Sequence, residues 1–223
     1  MNNYVITEID SAQKKMSAYV TLLSYRYMNL CVKAELGALM PVNVYIGDES
    51  YNIEAVANIY SPDEFQFSVY PKNNNNLQAI IQGIYEAHPE FKMETKTSTD
   101  GGTSYILYTM PKVDKNRHDL LQNAVKGLHG ECCTCIEAIK ADSQALLLEN
   151  LTKVGVSKAE IDEAQQALDD LYQRSLNMAD QQLDKKQQEI EEALVRYQEE
   201  LIHKAEEEPE SDFTKGFRMY DVE

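Results

Sequence analysis

The chain has 223 residues, 43% of them hydrophobic, and a formal charge of −16 at pH 7. That length makes one large or two small domains, and that hydrophobic share supports a folded core. No apolar run approaches the ~20 residues of a membrane span, and the acidity excludes nucleic-acid binding over the surface as a whole.

In chain order, a first helix is expected from about Asp10-Ser11, which can cap it, to about Leu36. Its apolar seam reads Met16, Val20, Leu23, Tyr27, Leu30 and Ala34, and alternating steps of four and three put these on one side of a helix. Gly37 stops the helix and Pro41 prevents its resumption. Val42 to Ile46 alternates like a strand and closes in a turn at Gly47-Asp48. Asn52 to Ile59 reads as a second strand, Ser61-Pro62-Asp63 as a turn, and Phe65 to Tyr70 as a third strand. Four asparagines, Asn73 to Asn76, then precede Leu77, Ile80, Ile81, Ile84 and Tyr85, whose spacing is that of a short helix. Phe91 to Thr95 and Tyr105 to Thr109 pair as strands around the Asp100-Gly101-Gly102 turn, and Pro111 closes the segment.

A second helix runs from about Asp114 to Leu151 with the seam Leu121, Val125, Leu128, Cys132, Cys135 and Ile139. Gly155 breaks the chain, and Ser157 with Glu160 forms a capping box for a third helix that continues to about Ala205. At ~1.5 Å per residue that helix spans roughly 70 Å. Its seam, Ile161, Ala164, Leu168, Leu171, Ser175 and Met178, slips after Met178 and resumes at Leu183, Ile190, Leu194, Tyr197 and Leu201. Glu206 to Glu210 ends it, and a tail with Phe213, Phe217 and Tyr220 on one face follows. A helix cannot bury such a stripe alone, so three stripes predict a bundle. The expected architecture is α+β, an L-shaped pair. A three-helix bundle takes residues 1–40 and 112–205, an inserted α/β domain with one short helix takes 41–111, and 206–223 form an acidic and aromatic tail.

The charge is uneven. Residues 1–40 carry +1, residues 41–111 carry −6, residues 112–155 are neutral and residues 156–223 carry −11. Any phosphate contact therefore belongs to the first and second helices. The four cysteines are Cys31, Cys132, Cys133 and Cys135. Three of them in one helical turn make a poor disulfide framework, so reduced thiols in a cytoplasmic protein are expected. His129 lies one turn before Cys133. One helix face offers only two ligands where zinc wants four, so core packing is expected at the cysteines, with neither metal nor cofactor. The first ten residues show no secretory signal. No nucleophile motif or phosphate loop appears, so the chain is not expected to be an enzyme.

Several stretches carry a family resemblance. Val69-Tyr70-Pro71-Lys72-Asn73 with Leu77-Gln78-Ala79-Ile80 is one, and Met110-Pro111 with Asp114, Arg117, Asp119 and Leu120 is another. Val125-Lys126-Gly127, Ile136 to Asp142, Val156 to Glu160 and Lys186 to Ile190 continue it. In this order they resemble ribosome recycling factor over about residues 11–192. The resemblance implies a protein that binds the large ribosomal subunit after termination and, with elongation factor G, splits the ribosome. It implies ribosomal-RNA contacts from Lys33, Arg117, Lys126 and Lys140. It also implies an inserted domain moving on hinge residues Leu36, Gly37, Pro41, Met110 and Pro111.

The chain departs from that family at its RNA-facing residues. Leu30 to Ala34 replaces an arginine-rich signature, and Glu137, Lys140 and Ala141 stand where the family has arginines. Lysine lacks the bidentate fork of arginine, so the remaining charges anchor phosphate less well. The alternative expectation is a diverged paralogue without RNA binding, taking a basic protein partner through its acidic third helix and a docking tail of Phe213, Phe217 and Tyr220. No membrane association is expected, and the chain is expected to be a monomer.

Overall fold

The computed structural model describes residues 3–97, 104–154 and 157–207. Three long helices, α1 (Asn3–Asn29), α4 (Lys115–Val154) and α5 (Lys158–Glu207), pack along one shared core. Between α1 and α4 lie β1 (Asn43–Ile46), β2 (Glu49–Asn52), α2 (Ile53–Val56), β3 (Ala57–Asp63), β4 (Gln66–Pro71), α3 (Leu77–Ala87), β5 (Lys92–Thr97) and β6 (Ser104–Thr109). This is a helical bundle plus a β-sheet lobe in an L-shaped fold. The predicted Asp100-Gly101-Gly102 turn, the Gly155 break and the tail residues Phe213, Phe217 and Tyr220 lie outside the described residues.

The seams meet as the periodicity requires. Tyr27 of α1, Cys132 of α4 and Leu168 of α5 are buried in the same apolar cluster. Details differ in three places. On α4 the buried position is Ile136, while Cys135 is only half-buried. On α5 Met178 is 52% exposed and Ala179 is buried in its place. A straight helix turns 3.6 residues per turn against the 3.5 of a heptad, so the face towards the partners drifts and a fixed alternation loses it. The third difference is α1, which starts at Asn3, seven residues before the expected cap. Val5 and Ala12 are buried and Ile9 packs on the core, so the stripe extends about three turns before Met16.

α1 also stops early, at Asn29 and not near Leu36. Beyond it the backbone has better partners than another helical turn. The Cys31 carbonyl accepts from the Arg117 guanidinium at 2.9 Å, and the Ala34 amide donates to the Glu64 carbonyl at 2.7 Å. Cys31, Ala38 and Leu39 then join the core of the inserted lobe. Residues 31–40, expected with the bundle, therefore pack partly with the lobe.

The lobe has its own apolar cluster, which includes Val44, Ile53, Phe67, Val69, Ile80, Ile84 and Ile106. Its four-stranded antiparallel sheet has the order β3-β4-β6-β5, and β1 and β2 form a separate hairpin. Gly47 turns that hairpin at φ 64°, a conformation that favours glycine. The expected strand from Asn52 to Ile59 is split. Asn52 caps the single turn of α2, its side chain accepting from the Glu54 amide at 3.0 Å, and β3 begins only at Ala57. The lobe thus has two α-helices where one was expected. Ser61, Pro62 and Asp63, read as a turn, lie within β3, where the pairing with β4 shifts register between Tyr60 and Asp63. Pro62 is tolerated because β3 is an edge strand. Helix α3 sits so close to β1 that a Cβ on Gly83 would lie 2.5 Å from the Asn43 carbonyl oxygen.

Predicted details of α5 hold at its start. The Ser157 hydroxyl donates to Glu160 at 2.9 Å, and Glu160 reaches back to the Ser157 amide at 3.2 Å. These bonds hold the Glu160 carboxyl below its ordinary range.

Candidate nucleic-acid interface

The four expected RNA-contacting cations divide into two pairs. At 100° per residue, Arg117 and Lys126 on α4 point about 180° apart, whereas Lys126 and Lys140 lie within about 40° of each other. Glu137 falls about 20° from Lys126 on that same face. Arg117 and Lys33 instead lie at the junction of bundle and lobe, with Arg117 bonded to the Cys31 carbonyl two residues before Lys33.

Arg117 is a structural residue of that junction. Asp114 caps α4 by accepting from the Arg117 amide at 2.8 Å, and the guanidinium donates to the Cys31 carbonyl. Its Nε is buried without a partner among the described residues. Burial pushes the guanidinium below its ordinary pKa, countered by the Glu90 carboxylate, and an arginine stays charged regardless. Burial likewise pushes the nearby Cys31 thiol up to about 12, so this cysteine is inert packing. Lys33, at the surface beside it, pairs with Glu35 at 3.0 Å.

The second pair faces the acidic helix. Lys140 is held by Asp169 of α5 at 2.6 Å and sits over the Tyr172 ring, 4.4 Å from its centroid. Lys126 is exposed beside a groove between α4 and α5, whose lining includes Asp119 and Glu191. These acidic neighbours were not foreseeable residue by residue. For Asp169 and Glu191 the signal in the sequence was the −11 carried by residues 156–223.

The residues expected as a hinge are also distributed unevenly. Leu36 and Gly37 form a 3-10 turn with Ala38, and Leu36 and Pro41 are exposed. His88, almost fully buried and stacked on Phe91 at 4.6 Å, reaches the Ala38 carbonyl at 3.1 Å and ties that turn to the lobe. Met110 is buried in the lobe core, its amide donating to the Phe65 carbonyl at 2.8 Å, and Pro111 is half-buried.

One histidine links α4 and α5 near the junction. His118 of α4 contacts Glu191 of α5 at 2.7 Å and Asp119 at 3.0 Å, and its hydrogen bonds to Asp119 and then Glu191 raise its pKa. A group whose folded pKa is raised stabilises fully below its unfolded value, about 6.5 for histidine. That contribution fades as pH rises through the folded value. The stability difference between the wild-type chain and His118→Gln is therefore expected to shrink as pH is raised above the ordinary histidine range, read by urea denaturation at a series of pH values. A difference that grows with pH would contradict this assignment.

Fold and site together define an elongated helical-bundle protein with a lobe inserted after its first helix. A family model described as ribosome recycling factor matches residues 27–190, and the chain belongs to that family. It is similar to a solution structure of the ribosome recycling factor at 16% identity and a TM-score of 0.67, with 86% of this chain and 100% of the other covered. A chain from models for the T. thermophilus ribosome recycling factor and the E. coli elongation factor G bound to the E. coli post-termination complex is also similar. It shares 19% identity at a TM-score of 0.55, with 83% of this chain and 98% of the other covered. At these identities the likeness is one of fold. No curated protein matches the sequence. Helix α5 continues to Glu207, beyond the family match.

Proposed function

We propose that the chain is a recycling-type translation factor that binds the large ribosomal subunit and, with elongation factor G, aids disassembly of post-termination ribosomes. The observation that carries this reading is the family match, which runs unbroken from the end of α1 through the lobe and into α5. The proposed role is one of binding, without catalysis, in the cytoplasm. Of the four expected cations Lys126 is the one most available for phosphate, with Lys33 and Lys140 able to leave surface ion pairs that are worth only about 0–1 kcal/mol each. Arg117 supports the same reading indirectly, by positioning the lobe. Lobe movement in this proposal flexes the chain near residues 32–35 and 111–114, because Ala38, Leu39 and Met110 are committed to the lobe core.

A second reading has its own support. Lys140 is neutralised by Asp169, Arg117 is used internally and Glu137 shares the Lys126 face, which favours a paralogue that takes a basic protein partner on α5. Sedimentation with large subunits across a salt series separates the two. A recycling-type factor is expected to co-sediment at low salt and release steeply as salt rises, and Lys126→Ala is expected to lower the slope by about 1. Absence of co-sedimentation at low salt rejects the ribosomal reading and leaves the paralogue.

A further inference from the structure

Three side chains that no ribosomal role uses converge where α4 meets α5. His129 and Cys133 are one turn apart on α4, and Asp180 comes from α5. The sequence offered only two ligands on this helix face; packing of α4 against α5 provides the third. We propose that His129, Cys133 and Asp180 form a zinc site that staples α4 to α5.

The three ligand atoms lie within 4.8 Å of one another, a spacing that a turn of the Cys133 side chain brings to what the ion needs. Zinc bonds of about 2.0–2.1 Å to nitrogen, 2.0–2.2 Å to oxygen and 2.3 Å to sulfur, at tetrahedral angles, place ligand atoms about 3.4 Å (N to O) and about 3.6 Å (S to N) apart. The Cys133 Sγ lies 3.5 Å from the His129 Nε2. The His129 Nε2 lies 2.8 Å from the Asp180 Oδ1, so the carboxylate has to retreat by only a few tenths of an ångström. Asp180 has the freedom to do so, because its side chain is 56% exposed. The sulfur also lies 3.8 Å from Nδ1, so it sits beside the ring face, and Cys133 has to turn its side chain to meet the in-plane lone pair of Nε2, which already faces Asp180.

The donor set selects the metal. One thiolate, one imidazole and one carboxylate suit zinc, whereas magnesium and calcium want oxygen ligands throughout. The thiolate and carboxylate also neutralise the doubly charged ion. In the metal-free form Cys133 resists ionisation, first through burial and then through the Asp180 carboxylate. Zinc reverses that balance: the Zn–S bond forms, the thiol proton passes to solvent, and no electrons are exchanged. Three protein ligands leave the fourth position to water. Cys132 and Cys135 take no part, because they line a groove against α1 with Tyr19, Leu22 and Arg26.

The test uses the full-length chain, untagged, reduced and stripped of metal, titrated with cobalt(II) as the spectroscopic probe and then with zinc. One equivalent of cobalt is expected to give tetrahedral visible bands and a thiolate-to-cobalt charge-transfer band, and zinc is expected to displace it. Cys133→Ser is expected to abolish the charge-transfer band and weaken binding at least tenfold. His129→Gln and Asp180→Asn are expected to weaken binding, and Cys135→Ser to leave it unchanged. All four positions are at least partly exposed, and far-UV circular dichroism verifies that each variant folds. No cobalt spectrum in the wild-type chain, or a charge-transfer band that survives Cys133→Ser, overturns the proposal.

Discussion

Phe67→Ala is expected to unfold the inserted lobe while leaving the long helices in place. Phe67 has no exposed surface, and its ring lies 5.9 Å from that of Phe91 in the core of the lobe. Truncating a buried phenylalanine costs about 3–5 kcal/mol through lost transfer energy and the cavity left behind. A small domain has about 5–15 kcal/mol in total, so this single change removes a large part of the lobe's reserve. The bundle draws on a different set of residues, from Val5 on α1 to Ala193 on α5. Hydrogen exchange read by mass spectrometry distinguishes the two regions. Amides of β3, β4 and β6 are expected to lose protection while those of α4 and α5 retain it. Equal loss in both would mean that bundle and lobe unfold as one cooperative unit.

The second large effect is expected at Leu168, which is 1% exposed at the centre of the bundle. Leu168→Ala is expected to cost about 2–5 kcal/mol, equivalent to a fall in melting temperature of roughly 4–20 °C for a chain of this size. Met178→Ala, ten residues further along α5, is the paired control. Both residues belong to the same heptad reading, yet Met178 is 52% exposed and its truncation is expected to change stability by less than about 0.5 kcal/mol. Thermal melts followed by far-UV circular dichroism compare them directly. Equal losses in the two variants would refute the packing of α5 described above.

The same contrast explains what was legible in the amino-acid pattern. The existence and pairing of the long helices follow from repeated apolar steps, because burying such stripes requires three helices in contact. The choice between Cys135 and Ile136, or between Met178 and Ala179, depends on a drift of 20° per heptad that composition does not reveal when both candidates are apolar. The end of α1 was illegible for a different reason: Arg117, far away in the chain, takes the Cys31 carbonyl that the next helical turn would have used. The expected site residues could be named only as residue types and positions along a helix. Their partners could not be named, because the azimuth of α5 against α4 decides that Asp169 meets Lys140 and Asp180 meets His129. The same holds for the cysteine-histidine group of α4, whose carboxylate neighbour Asp180 comes from a second helix.

The portion of α5 past the family match has a mechanical consequence. Arg196 pairs with Glu64 on the lobe, and Glu200 pairs with Lys112, whose ammonium also lies 5.2 Å from the centre of the Phe65 ring. Pairs this exposed are each worth about 1 kcal/mol or less, not much above the thermal energy of roughly 0.6 kcal/mol. For the lobe movement proposed above they act as a soft detent, a bias on its resting angle weak enough for Brownian excursions to overcome.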